Sequence, residues 1–194
     1  MAASEVEAAV AFEVQSQRDE LQPRAAGWTL PTSGPGRRAR RAADERRTDM
    51  KDQVNRVEYF ALTVDDRAGE GAQLGNKLAK EGVNLLALSA FPAAPGKTQV
   101  DLVPEHPEAL VKAAKKLNLS IGSPKACFYV QGTDRPGAMA EILGRLGDAR
   151  INVRASLGAC AGGNRYGALL WVAPGEIDAA GRALGATTMS AHHV

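Results

Sequence analysis

Apolar residues recur at helical spacing in two segments of the chain that lie far apart. Leu74 and Leu78 mark the inward face of the first segment, and Ile142 and Leu146 mark that of the second. Runs rich in β-branched and aromatic residues stand before and after each segment, as expected for strands. The pattern predicts the order β-α-β-β-α-β twice, which is the split-βαβ or ferredoxin-like arrangement of an α+β protein.

Each repeat is predicted to contain four strands and two helices. In the first, strands are expected at 57–64, 83–91, 98–103 and 119–121, with helices at 72–81 and 108–117. In the second, strands are expected at 126–131, 151–157, 166–172 and 187–189, with helices at 138–147 and 176–184 and a loop at 158–164.

The two segments align at one constant offset. Asp66-Arg67-Ala68-Gly69 precedes Asp134-Arg135-Pro136-Gly137 by 134 − 66 = 68 positions, and at the same offset Asn84 matches Asn152. A period this long is too large for a solenoid unit and indicates a duplicated small domain. We therefore predict a leader at 1–53 and two tandem domains at 54–122 and 123–190.

The turn before the second repeat's first helix is the main candidate for chemistry. A helix start directs free N–H groups and the positive end of the helix dipole at one point, which suits a small carboxylate. Pro136 is expected at the first helical position, where its missing N–H costs nothing. Gly137 would let a ligand approach the backbone without meeting a Cβ. Any strand-to-helix turn can look like this, so the turn alone does not establish binding.

The leader is expected to be largely disordered, with a possible weak helix at 2–21. Six arginines fall between 37 and 47 against Asp44 and Glu45, which leaves a basic arm for nucleic acid or an acidic partner as the alternative. Such a segment also arises when a start site is placed too far upstream. Met50 would then begin the natural protein.

Composition narrows the class of protein. Hydrophobic residues make up 44% but aromatic residues only 5%, so the cores should be aliphatic. The net charge of +2, from 24 basic against 22 acidic residues, favours neither nucleic acid nor acidic surfaces. Two cysteines indicate a reducing compartment, and no apolar run is long enough for a membrane helix. We expect a cytoplasmic protein with no cofactor and no metal.

These residues resemble an ACT domain, a small regulatory module that binds amino acids. The resemblance rests on the Asp-Arg-Pro-Gly turn, the helix after it and Ile151-Asn152-Val153, and two tandem units would span 56–186. In that family the ligand lies between two ACT units, against the turn and the Asn that opens the second strand. The resemblance implies ligand contacts at Asp134, Arg135, Pro136, Gly137, Ala138, Met139 and Asn152, and in the first repeat at Asp66, Gly69, Glu70 and Asn84.

The first repeat departs from this pattern. Ala68 replaces the proline, and Asp65, Asp66 and Glu70 crowd the turn with negative charge that repels a carboxylate. We therefore expect two unequal sites, of which the second receives a carboxylate better. The two Asn residues have a second explanation of equal weight, because Asn is common at helix ends, where it tolerates left-handed geometry.

The resemblance implies a non-catalytic, amino-acid-binding regulatory protein that acts through pairing of ACT units. A homodimer or higher homo-oligomer is expected, with a metabolic enzyme as a possible further partner. The alternative is an RNA-binding ferredoxin-like module, because the strands around Phe128-Tyr129 and Tyr166 faintly match its two motifs. Catalysis through Cys160 is disfavoured because no acid–His pair lies near it in sequence.

Overall fold

The computed structural model describes residues 52–188. Several expectations lie outside the described residues: the leader helix at 2–21, the arginine-rich segment, the start at Met50, and the end of the last strand at Met189. Within the described part, strands and helices follow the predicted order except that the fourth strand of the first repeat is absent.

Seven strands and four α-helices make up the described chain. In order they are β1 (Gln53–Asp65), α1 (Glu70–Lys80), β2 (Leu85–Ala94), β3 (Lys97–Pro104), α2 (Pro107–Lys116), β4 (Lys125–Thr133), α3 (Ala138–Asp148), β5 (Val153–Gly162), β6 (Arg165–Val172), α4 (Ile177–Leu184) and β7 (Thr187–Thr188). A short 3₁₀ turn, Pro174–Glu176, precedes α4.

All seven strands belong to one sheet. Six of them follow the order β2-β3-β1-β4-β6-β5, and β7 pairs with β1 beside this path. The pairings along the path are antiparallel, and only the two-residue contact between β7 and β1 is parallel. The free edges of the path are therefore β2 in the first repeat and β5 in the second.

The central strand β1 serves both repeats. Its first part pairs with β4, from Gln53 opposite Gln131 to Tyr59 opposite Lys125. Its second part pairs with β3, from Phe60 opposite Leu102 onwards. The start of β1 therefore lies between β4 and β7, the first and last strands of the second repeat, so that repeat completes its sheet with residues that precede the first repeat's helices.

Two helix-covered cores lie on the same face of the sheet. Val54 and Phe60 are both even-numbered positions of β1 and so point to one face, although they belong to different cores. The core of the first repeat is centred on α1 and α2, and that of the second on α3 and α4. Their fully buried side chains include Phe60, Leu78, Leu102 and Leu110 in the first and Phe128, Ile142, Leu146 and Leu170 in the second.

The opposite face of the sheet also buries side chains, because the sheet curls on itself. Val57, Val103, Cys127 and Leu169 from four different strands form a third cluster there. Trp171 contacts Tyr59 edge-to-face with ring centroids 6.2 Å apart. This contact joins β6 to β1.

The strand boundaries differ from the sequence-based ones in three places. β1 begins four residues earlier than expected, at Gln53. β5 runs on to Gly162, so most of the expected loop is strand, because its small residues pair with β6 through backbone atoms alone. The short strand expected at 119–121 is absent from the described chain, although the Gly122 N–H donates to the Ala61 C=O at 2.7 Å.

The described helices are too short and too polar to span a membrane. The continuous sheet makes a single α+β body of the described residues. The division into domains at 54–122 and 123–190 stays a prediction, because β1 is shared between the halves.

Because both repeats share β1, we expect the two cores to unfold together. Leu78→Ala in the first core and Leu146→Ala in the second should each lower the free energy of unfolding by about 2–5 kcal/mol. Because β1 couples the cores, each variant should shift one common transition in urea, followed both by circular dichroism and by tryptophan fluorescence. Two separate transitions, each moved by only one of the variants, would contradict this expectation.

Candidate functional site

The second turn has the geometry of a helix start that is open to a ligand. Gly137 adopts a left-handed conformation with φ of 86° and directly precedes α3. No side chain caps this helix, and among the backbone hydrogen bonds of the described chain none uses the N–H of Met139 or Ala140. Free N–H groups at a helix start attract anions. Pro136 lies before the cap and not at the first helical position, so that expectation is wrong.

The Arg135 side chain is bound within the chain itself. Its guanidinium donates to both carboxylate oxygens of Asp52, at 3.0 and 2.8 Å, and to Glu141 at 2.7 Å. It also donates to the C=O of Thr133 at 3.2 Å. These hydrogen bonds raise the pKa of Arg135 above its ordinary value. The predicted ligand contact at Arg135 would therefore have to compete with two carboxylates of the same chain.

Asp52 also belongs to this site, although the sequence did not predict it as a site residue. Its side chain is only 1% exposed and lies over Gly132, where there is no room for a Cβ. Burial, and then the negative charge of Asp52, raise the pKa of Tyr166 to about 12. Asp52 thus ties the start of β1 to the turn before α3, through a pair of residues that are 83 positions apart.

The edge strand β5 forms the other side of the site. Its Gly158 lies beside Met139. A Cβ added at that glycine would come within 3.6 Å of the methionine thioether. The Cys160 thiol donates to the Asp134 carboxylate, which raises the pKa of the thiol. Asp134 and Met139, on either side of Gly137 in sequence, thus both contact β5, which is a free edge of the sheet.

Asn152 is not brought to this turn within one chain. It precedes β5, whereas the turn lies near the far end of that strand, where the Asp134 N–H donates to the C=O of Asn164 at 2.9 Å. Six residues of extended chain separate Asn152 from Gly158, which corresponds to about 20 Å. The predicted set of second-repeat residues is therefore split between the two ends of β5.

The first turn has the same shape and its own internal ion pairs. Gly69 is left-handed, with φ of 93°, and α1 starts at Glu70. Arg67 contacts Asp65 at 3.0 Å and Glu70 at 2.7 Å. A hydrogen bond from Lys97 lowers the pKa of Asp65. The Asp66 N–H donates to the Gly96 C=O at 3.0 Å, as its counterpart Asp134 does to Asn164.

Asn84 lies at the other end of the β2–β3 hairpin from this turn. Its side-chain amide donates to Glu105 at 2.8 Å. Neither Asn84 nor Asn152 is among the residues with positive φ, so their left-handed explanation does not apply. Gly82 and Arg150 take that conformation instead, at the ends of α1 and α3.

The charges around the two turns are more alike than the sequence indicates. The first turn gathers Asp65, Asp66 and Glu70 near Arg67 and Lys97. The second gathers Asp52 and Glu141 at Arg135, which directly follows Asp134 in sequence, and Arg165 lies opposite Thr133 on the next strand. Charge alone therefore gives no reason for the two turns to bind unequally, and the expectation of two unequal sites stays a prediction. The turns differ at the adjoining sheet edges, where β2 carries Pro92 and β5 carries Cys160 at the equivalent position.

The other candidate functional residues are buried or do not form a cluster. Phe128 and Tyr166, whose strands faintly match RNA-binding motifs, are buried in the second core and unable to stack on bases. Burial raises the pKa of the Cys127 thiol to about 12. Residues 52–188 contain no group of His, Cys, Asp and Glu that could hold a metal ion.

No protein-family model and no curated protein sequence matches this chain. Among solved structures it is similar to protein BT0572 from Bacteroides thetaiotaomicron, at 18% identity over 68% of this chain and 88% of that one, with a TM-score of 0.59. It also matches the ligand-free regulatory subunit of aspartate kinase from Thermus thermophilus, at 14% identity over 70% and 94% of the two chains, with a TM-score of 0.48. The first likeness shows the fold alone, and the second is too loose to carry an argument.

The contact between Asp52 and Gly132 allows a direct test of the packing at this site. In Gly132→Ala the added Cβ would overlap the Asp52 carboxylate and come within 2.6 Å of the Tyr166 ring. We expect a loss of about 1–3 kcal/mol in the free energy of unfolding. Gly144→Ala is the matched control, because this glycine of α3 has open space around it and should gain up to about 1 kcal/mol. Equal effects of the two variants, measured in urea, would refute the described packing.

Proposed function

We propose that this chain is a non-catalytic regulatory protein that binds an amino acid at the turn before α3, through pairing of ACT-like units. The observation that carries the proposal is the open, uncapped start of α3 behind the left-handed Gly137, with the Asp134 carboxylate beside it. The sequence resemblance to tandem ACT domains supports the same ligand class.

A zwitterion suits this turn better than a simple anion. The free N–H groups of α3 attract a carboxylate, whereas the Asp134 carboxylate attracts an ammonium group. A dicarboxylate without an amino group would meet the negative charge of Asp134 without compensation. The Arg135 guanidinium holds the turn in place through Asp52 and contributes less to the ligand.

Pairing of two copies along β5 would complete the site. β5 is a free edge whose described side chains are almost all exposed, and Leu157 is 47% exposed. Unpaired strand edges accept another strand by main-chain hydrogen bonds. In an antiparallel pair, the start of the partner's β5 lies opposite the end of this one, so the Asn152 end of one copy would approach the Asp134 turn of the other.

Regulation would then follow from the thermodynamic linkage between ligand binding and the association of two copies. A ligand bound between two copies favours the associated state by its difference in affinity for the two states. An enzyme that recognises only one of these states would respond to the amino acid concentration. β2 is the weaker candidate for pairing, because Pro92 interrupts its row of N–H donors.

A pair of glycine variants tests the ligand site. Gly137→Val and Gly69→Val place a β-branched residue at equivalent left-handed positions, and both have open space around the added Cβ, so their strain should be similar. A cognate amino acid at about 100 times its dissociation constant should stabilise the wild type by roughly 2.7 kcal/mol. In a thermal-shift panel of the twenty amino acids, Gly69→Val should keep this response and Gly137→Val should lose it.

The opposite result, or a response that survives in both variants, would place the ligand elsewhere. A stabilisation by oligoribonucleotide with none by any amino acid would favour the RNA-binding alternative.

Two leucine variants test the pairing edge. Leu157 on β5 and Leu88 on β2 are both 47% exposed, so a lysine at either position costs little in the folded chain. A charge on an edge strand opposes strand pairing. Leu157→Lys should weaken dimerisation at least about tenfold in sedimentation equilibrium, and Leu88→Lys should leave it unchanged. Equal weakening, or an effect of Leu88→Lys alone, would contradict pairing through β5.

A further inference from the structure

Arg135 connects the start of β1 with the start of α3. Its side chain donates to Asp52, which directly precedes β1, and to Glu141 in the first turn of α3. Its C=O accepts the N–H of Ala138, the first residue of α3, at 3.2 Å. The position of this arginine therefore fixes the start of α3 relative to the start of β1.

The two acids that hold Arg135 differ in their exposure to water. The Asp52 side chain is buried, whereas the Glu141 side chain is partly exposed. Loss of one partner from a buried ion pair leaves the other charge without compensation, whereas water can replace a partner in an exposed pair. The position of Arg135 should therefore depend mainly on Asp52.

The first repeat lacks both of these acids. At the offset that relates the two repeats, Ser120 stands in the place of Asp52, and Gln73 stands in the place of Glu141. Neither Ser nor Gln carries a charge, so the first repeat cannot form the same pair of ionic contacts.

Arg67, the counterpart of Arg135, is held by its own turn. Its ion pairs are with Asp65 and Glu70, and its side chain is 68% exposed, against 22% for Arg135. Ion pairs between exposed side chains contribute little, because water competes for both charges. The first turn is therefore restrained by weak local contacts, whereas the second is restrained by a buried acid 83 positions away in sequence.

We propose that Asp52 is a positioning residue of the site at the turn before α3, and that it acts through Arg135. With Asp52 in place, the Arg135 guanidinium holds the turn so that the N–H groups of α3 and the Asp134 carboxylate are presented together. Such preorganisation lowers the cost of ordering the site when a small molecule binds. This role of Asp52 rests on the amino acid site proposed above.

The Cys160 thiol reports the position of the turn without any ligand. It donates to the carboxylate of Asp134, the residue before Arg135, and this contact raises the pKa of the thiol. The rate of iodoacetamide labelling follows the thiolate fraction, so the pH profile of labelling shows whether the contact is kept. A loss of overall stability that leaves the turn in place does not move this profile.

Asp52→Asn removes the buried negative charge with little change in shape. We expect the turn to move away from β5, so that the labelling profile of Cys160 shifts to lower pH and labelling at neutral pH becomes about twofold faster. Asp178→Asn is the matched control, because it removes another carboxylate whose ion pair joins β1 to the second repeat, at α4 instead of at this turn. Its labelling profile should match that of the wild type.

A double variant keeps the test decisive if Asp52→Asn alone folds poorly. Asp52→Asn combined with Arg135→Gln leaves no buried charge without its partner. Because Asp52 acts through Arg135, the double variant should show the same labelling profile as Arg135→Gln alone. An unchanged profile in these variants, additive shifts of the two substitutions, or an equal shift in Asp178→Asn would each overturn the inference.

A thermal-shift measurement with an equimolar mixture of the twenty amino acids separates this role from the proposed function. The mixture should raise the melting temperature of the wild type and of Asp178→Asn alike, and about tenfold more of it should be needed for the same rise in Asp52→Asn. No rise in the wild type would refute the amino acid site, and the labelling profile would still decide whether Asp52 positions the turn. An equal response of Asp52→Asn and the wild type would overturn the inference.

Discussion

The double pairing of β1 is the constraint on which the rest of the structure depends. One strand supplies the partner of β3 in the first repeat and the partner of β4 in the second. A duplicated ferredoxin-like unit would ordinarily complete its sheet with its own last strand, but here β7 is separated from β4 by the start of β1. Both cores lie on the same face because this strand is continuous, and neither repeat has a complete sheet without it.

The same strand determines the chemistry of the second turn. Asp52 stands immediately before β1 and reaches Arg135 as its ion-pair partner. The Arg135 guanidinium is thus occupied within the chain. The N–H groups at the start of α3 and the Asp134 carboxylate are the groups that remain for the proposed zwitterionic ligand. The difference between the repeats then lies at the sheet edges, where β5 offers unbroken backbone donors and β2 carries Pro92.

Local sequence patterns predicted much of this fold. Leu74 with Leu78 and Ile142 with Leu146 identified the helices and their buried faces, and the Gly that precedes each first helix marked the two turns. The pairing of β1 was not predictable, because strand register depends on residues far apart in the chain, such as Asp52 and Arg135. The extent of β5 was missed for another reason. Its Gly, Ala and Cys residues are typical of a loop, but their backbone pairs with β6 as a strand.

Alkylation of Cys160 tests the central claim most directly. This thiol is exposed and contacts Asp134 at the proposed site, whereas the chain's other cysteine, Cys127, is buried. Iodoacetamide labelling followed by mass spectrometry should therefore report on Cys160 alone in the folded protein. If the site lies at this turn, the amino acid that raises the melting temperature will slow Cys160 labelling in proportion to its occupancy. A raised melting temperature with an unchanged labelling rate would contradict the account.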